Sequence, residues 1–291
     1  MSQWSNLLSA ADAAALRSVG LVPLRQVYGV SVYHVGFTGT AYCGGAETNR
    51  LKGERWRASR TAGEWSGYGA AVASLRNVRR RALERMVRDA RELEADGVVG
   101  ADLVITPYPG AGRTLECSVA GVAVRAVGDV RPKSPFVSTL SGVDTAKLFL
   151  HGWVPVGVAL GVAVEIEHDD AATRAVTGWR GVAASNAEVP AVTRLVQRTR
   201  TEARRTLDGE VDRLGADGAV VSSMALAVNE TECHVYEGLH DHVAEAVTVA
   251  TAIAEVDGRT PPKPRPVISA APWPRTSHIE RPAPLQPEWL E

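Results

Sequence analysis

The stretch Gly20-Leu21-Val22-Pro23-Leu24-Arg25-Gln26-Val27-Tyr28-Gly29-Val30-Ser31-Val32 decides the fold, because it returns as Gly152-Trp153-Val154-Pro155-Val156-Gly157-Val158-Ala159-Leu160-Gly161-Val162-Ala163-Val164. The offset is a constant 132, and it holds upstream, where Leu8-Ser9, Asp12 and Leu16 reappear as Leu140-Ser141, Asp144 and Leu148. From Leu8 to Val32, 11 of 25 positions are identical. Glycine, proline and apolar positions agree in spacing, which marks an internal duplication.

Just before each copy, Ser9 and Ser141 stand three residues ahead of Asp12 and Asp144. A hydroxyl followed by an acid at that spacing resembles a capping box, so short helices are expected over 12–18 and 144–150. Gly20 and Gly152 should end them, since glycine tolerates the left-handed conformation past a helix. The β-branched run that follows predicts a strand. Gly29 and Gly161, at matched places within it, suggest a bulge or a close backbone approach.

Further on the offset falls to 121. Leu75, Val78, Ala82, Met86, Ala90 and Leu93 recur at steps of three and four and predict one face of a helix over about 70–95. The same stripe reads Val196, Thr199, Ala203, Leu207, Val211 and Leu214 in the second copy. Met86 therefore belongs to a core stripe. Arg79, Arg80, Arg81, Arg85, Arg88 and Arg91 are expected on the opposite, solvated face, paired with nearby acids. Both helices run into Asp-Gly, at Asp96-Gly97 and Asp217-Gly218, a turn signal. Strands are expected over 98–106 and 115–127 in the first copy. In the second, the expectation is a strand over 219–228, a turn at Asn229–Thr231, a strand over 232–236, a loop over 237–242 and a strand over 244–256.

The reading is an α+β protein of two tandem repeats, each a small antiparallel sheet packed on one long helix. The domains are 1–130, with a basic loop insertion at 38–69, and 136–257. Residues 258–291 follow as a tail. Nine of the 16 prolines lie in 261–291, so this segment is expected to be disordered and partly polyproline. Trp273 and Trp289 within it suggest a docking motif for a protein partner.

The totals narrow the classes. Apolar content is 45% and charged content 22%, ordinary for a globular protein. No apolar run is long enough to span a bilayer, and the first 16 residues do not read as a signal peptide. A cytoplasmic location is expected. Three widely spaced cysteines, Cys43, Cys117 and Cys233, argue against a disulfide framework. Net charge is −1, yet residues 1–133 carry 18 Lys+Arg against 12 Asp+Glu, or +6, and residues 134–260 carry 10 against 18, or −8. Complementary charge of this kind steers association.

Tyr68 with the helix after it, the run Leu93-Glu-Ala-Asp-Gly-Val-Val-Gly-Ala-Asp102 and the closing strand Ser118-Val-Ala-Gly-Val-Ala-Val124 resemble the YbjQ-like family, known as a putative heavy-metal-binding family. Leu214-Gly-Ala-Asp-Gly-Ala-Val220 repeats the signature, with Val221 in place of the last glycine. The resemblance spans roughly 15–127 and 147–256, two tandem copies. It implies a small antiparallel sheet on a long helix and ring-like homo-oligomers, typically of five single domains.

A metal site needs converging imidazole or thiolate donors. Cys233, His234, His240 and His242 form the one local cluster, and a divalent transition metal such as Zn, Cu or Ni is the cofactor it would take. No other cofactor is indicated. His-x-His on a strand puts both rings on one face. Gly110-Ala-Gly112 precedes a strand, not a helix, so it is no phosphate loop. No nucleophile elbow occurs. Asp12, Asp144, Asp96 and Asp217 sit at caps and turns, which explains them structurally. No catalytic set is expected. The leading expectation is a non-enzymatic, self-associating scaffold or partner-binding protein, and the alternative is a heavy-metal-binding protein. The third is nucleic-acid binding through the Arg-rich loop, with Trp56 and Trp65, and the helix after it.

Overall fold

The computed structural model describes residues 8–34, 69–108, 114–128, 131–168, 173–174, 176, 187–232 and 240–256. In chain order these form α1 (Ala10–Ser18), β1 (Leu21–His34), α2 (Gly69–Glu92), β2 (Gly97–Pro107), β3 (Thr114–Ala126), β4 (Phe136–Val137), α3 (Gly142–Leu150), β5 (Trp153–His168), α4 (Pro190–Arg213), β6 (Gly218–Glu232) and β7 (His240–Glu255). The fold is mixed α+β with two sheets. The first has the order β1-β3-β2-β4 and the second β5-β7-β6. Both lie within one compact unit, Met1–Pro261. The expected tail at 258–291 and most of the basic loop at 38–69 lie outside the described residues.

The capping reading holds in detail. The Asp12 backbone N–H donates to Ser9 Oγ at 3.1 Å, and the Ser9 N–H donates back to Asp12 Oδ2 at 3.1 Å. Ser141 caps α3 through its side chain, accepting from the Asp144 N–H at 3.0 Å. Gly20 and Gly152 follow the two helices with φ of 80° and 81°, the left-handed turn that lets the chain reverse into β1 and β5.

Gly29 and Gly161 mark close approach and not the bulge. A Cβ on Gly29 would lie 2.0 Å from the Ala82 carbonyl oxygen, and one on Gly161 would lie 2.2 Å from the Ala203 carbonyl oxygen. Each long helix thus rests its backbone directly on its own sheet. The bulges fall earlier in the strands, between Pro23 and Gln26 and between Pro155 and Gly157. The predicted helix stripe is the core of the first half: Val78, Ala82, Met86 and Ala90 pack on Val27, Cys117 and Val119. Thr199, Ala203, Leu207 and Val211 are buried on the matching side of α4.

The ends of the second half differ from the sequence expectation. Asn229–Thr231 is not a turn; it extends β6, which pairs with β7 as far as Glu232 opposite His240. The expected loop over 237–242 is also corrected, since His240, Asp241 and His242 already belong to β7. Polar residues here continue a ladder because their backbone groups pair whatever the side chain is.

The halves are interlocked. Phe136 and Val137 pair in parallel with Gly97 and Val98, adding a strand to the first sheet. The Thr139 N–H donates to Thr251 Oγ1 at 2.9 Å. Asp12 accepts from the Val143 N–H at 3.0 Å, tying α1 to α3.

Candidate functional site

Three surfaces bear on function: the end of the second sheet, the arginines of α2, and the faces by which the halves meet.

At the end of the second sheet, β7 places His240 and His242 on one face. His242 stands opposite Glu167 on one side and Glu230 on the other. His240 Nδ1 lies 3.3 Å from Glu230 Oε1. On the same side of the sheet, Arg198 of α4 reaches Glu167 at 2.5 Å and the fully buried Glu165 at 3.3 Å. Asp241, between the two histidines in sequence, contacts His168. The structure thus brings His240 and His242 together with carboxylates. Cys233 and His234 lie outside the described residues. Among the described residues no group of three His, Cys, Asp or Glu side chains is arranged to hold a metal ion. The carboxylates nearest the imidazoles include Glu167, already held by a guanidinium, so the donor set that the structure describes fits a metal only in part.

On α2, Arg80, Arg81, Glu84, Arg85 and Arg88 line an open depression. These arginines are partly engaged. Arg80 lies 3.8 Å from Glu84, and Arg85 donates to the Val30 carbonyl. Arg79 does not belong to this solvated face, contrary to the sequence expectation. It is 6% exposed and donates to the Leu75 carbonyl at 2.9 Å.

The reason is the third surface. The outer side of α2 carries Val72, Leu75 and Arg79. It packs against the second sheet, where Val162, Val164, Ile166 and Val243 form a cluster with Leu75 and Val72. Glu245 of β7 stands opposite Val164 on this sheet face, near enough for its charge to act on Arg79. Burial lowers the Arg79 pKa and the Glu245 charge opposes that; burial raises the Glu245 pKa and the Arg79 charge opposes that. The neighbouring Cys117 thiol is pushed up to about 11 by burial, so it stays protonated and unreactive at neutral pH. Sequence reasoning missed Arg79 and Glu245. The signal lay in the repeat: Arg79 recurs as Arg200, and Glu245 corresponds to Glu116.

Asp96 is buried and accepts from the Ala126 N–H at 2.7 Å and from Arg131 at 2.8 Å; Asp217 accepts from the Glu255 N–H at 2.9 Å. These shared acids pin the turn after each long helix to the closing strand.

Among the described residues, two groups of exposed apolar side chains lie on strands. On the first sheet, the face away from α2 exposes Tyr28, Val32 and Val104. On the second, β6 exposes Val221, Met224 and Val228, and among the described residues no strand pairs with its outer edge. Trp273 and Trp289, the expected docking residues, lie outside the described residues.

Residues 57–127 match the model of a family described as "Putative heavy-metal-binding". They are a domain of this YbjQ family. The match covers first-half residues only. A relative, an encapsulin nanocompartment protein of Mycobacterium tuberculosis, is 29% identical over 238 residues, covering 79% of this chain and 80% of its own length. That stretch is longer than either half alone. Among the described residues no helix is long and apolar enough to cross a membrane.

Proposed function

We propose that this protein is a non-enzymatic, self-associating cytoplasmic scaffold built from two YbjQ-like halves. The observation that carries this reading is the pair of bare apolar surfaces, Tyr28, Val32 and Val104 on one half and Val221, Met224 and Val228 on the other. Contiguous exposed apolar residues on strands mark association surfaces, and an unpaired edge is a template for another chain. The opposite charges of the halves, +6 and −8, favour contacts between copies. The name of the mycobacterial relative adds a partner class, an encapsulin-type protein shell, which the tail with Trp273 and Trp289 would engage.

Native mass spectrometry of tag-free protein tests the core of this reading. A defined oligomer is expected, and a monomer across a wide concentration range overturns it. Co-expression with an encapsulin shell tests the partner: co-purification that is lost on deleting 258–291 is expected.

The second reading is transition-metal binding by Cys233, His234, His240 and His242. It is favoured by one observation, that His240 and His242 share a strand face beside Glu230 and Glu167. Stoichiometric zinc, copper or nickel retained after desalting and lost in His240→Ala supports it; its absence dismisses it.

A further inference from the structure

We infer that a second copy of this chain docks head-to-tail, the bare face of its first sheet covering the outer side of α4, with Arg200 of one copy facing Glu116 of the other. The inference rests on the self-association reading and names its surface.

The template is the contact already made inside the chain. There the outer face of the second sheet covers the outer side of α2, Val162, Val164, Ile166 and Val243 packing on Leu75 and Val72, with the buried Arg79 beside them and Glu245 on the same sheet face as Val164, near enough for the two charges to act on each other. The centre of the contact has counterparts in the other half, while Val72, Ile166 and Val243 at its rim are replaced there by Thr193, His34 and Thr114. Arg200 follows Arg79 by 121 residues, the same offset that relates the buried stripes of α2 and α4. Glu116 stands opposite Val32 across β1 and β3, as Glu245 stands opposite Val164 across β5 and β7. Val196 corresponds to Leu75 on the outer side of the helix. The duplication has therefore kept both members of a charged pair that is used once within the chain.

The counterparts are uncovered. Tyr28 is 61% exposed, where its equivalent Leu160 is 7% exposed. Val32 is 49% exposed, where Val164 is 5%. Arg200 lies in solvent, where Arg79 is buried. One half has used its sheet face and left its helix bare; the other has used its helix and left its sheet bare. Repeating the internal contact between copies fills both. The positive first half of one copy then meets the negative second half of the next. Such a contact joins unlike surfaces, so it propagates until it closes into a ring or continues as a chain.

The test is charge exchange, read by sedimentation velocity and native mass spectrometry on the full chain, with circular dichroism to show that each variant is folded. Glu116→Arg alone and Arg200→Glu alone set like charges together, and each should weaken assembly by roughly tenfold or more. The double variant should assemble like the wild type. An equimolar mixture of the two single variants should also assemble, in alternating order, because each unlike contact regains an Arg–Glu pair. Wild type that is monomeric overturns the self-association reading and this inference with it. Wild type that assembles while both single variants assemble equally well overturns this interface and leaves the reading standing. Single variants that dissociate without rescue in the double variant overturn the Arg200–Glu116 pairing.

Discussion

Helices α2 and α4 are each 24 residues long and bury the same stripe against their own sheet. Their outer sides have different fates. On α2, Leu75 and Arg79 are buried under the second sheet; on α4, Val196 is half-buried and Arg200 is exposed. Identical patterning thus leads to different burial, because burial of the outer side depends on where the other half lies. A duplicated unit whose interface joins unlike surfaces always has one of each left over at its ends. That is why the outer faces of the first sheet and of α4 carry bare positions, while α2 and the outer face of β5 and β7 carry the covered ones.

The largest test of this comparison asks whether the inner contacts are as equal as the outer ones are unequal. Gly29→Val and Gly161→Val drive a side chain into the Ala82 and Ala203 carbonyls, with Cβ distances of 2.0 and 2.2 Å. Each should cost at least about 3 kcal/mol, the severe end of overpacking, or abolish folding. Urea denaturation checks this, and a large loss in one half only would break the equivalence.

Next comes the buried pair. Arg79→Met removes a buried guanidinium, its bond to the Leu75 carbonyl and the opposing charge near Glu245, and should cost about 1–3 kcal/mol, whereas Arg200→Met should change the stability of the isolated chain by less than about 0.5 kcal/mol. The pH dependence sharpens the contrast. Burial holds the folded Glu245 carboxyl above its ordinary value of 4.5. The folded state therefore favours the protonated form, and the stability this gives is full below the ordinary value and lost as pH rises through the folded one. Removing Arg79 should steepen that loss as pH rises above 4.5, and Glu245→Gln in the Arg79→Met background should flatten it.

A smaller effect separates the two caps. Asp12 is held below its ordinary value chiefly by the Ser9 hydroxyl, with further help from the backbone N–H groups of Val143, Ser9 and Gly142. Asp144 is lowered chiefly by Lys147 and then by Ser141. Asp12→Asn should cost about 1 kcal/mol at neutral pH, the size of a lost cap, and more than Asp144→Asn because Asp12 also binds α3. A depressed carboxyl contributes above its ordinary value and loses that contribution as pH falls through the folded value. The two deficits should therefore shrink toward each other in acid, as thermal melts at several pH values will show. The smallest effect comes from Gly209, exposed on α4 with nothing within 4 Å of a Cβ. Gly209→Ala should stabilise by about 0.5–1 kcal/mol through helix propensity.

The local order of the chain was legible because its causes are local. Ser9 and Ser141 cap because their hydroxyls reach a backbone N–H three residues on. Gly20 and Gly152 turn because they lack a Cβ. The stripes Val78–Ala90 and Thr199–Val211 recur at helical period because one face meets a sheet. The duplication itself was plain in a constant offset. The end of β6 was misread because Asn229 and Thr231 are turn formers by composition, while ladder pairing with β7 overrides composition. Arg79 was misread because six arginines at helical spacing look alike until a second sheet covers one of them. The grouping of His240 and His242 with Glu230 and Glu167 needed strand register, which links residues far apart in sequence. The sequence by itself determined two copies of one α+β unit, their caps, their turns and their inner cores. Only the tertiary structure decided which outer faces meet, since that depends on long-range placement of one half against the other, and no periodicity within either half encodes it.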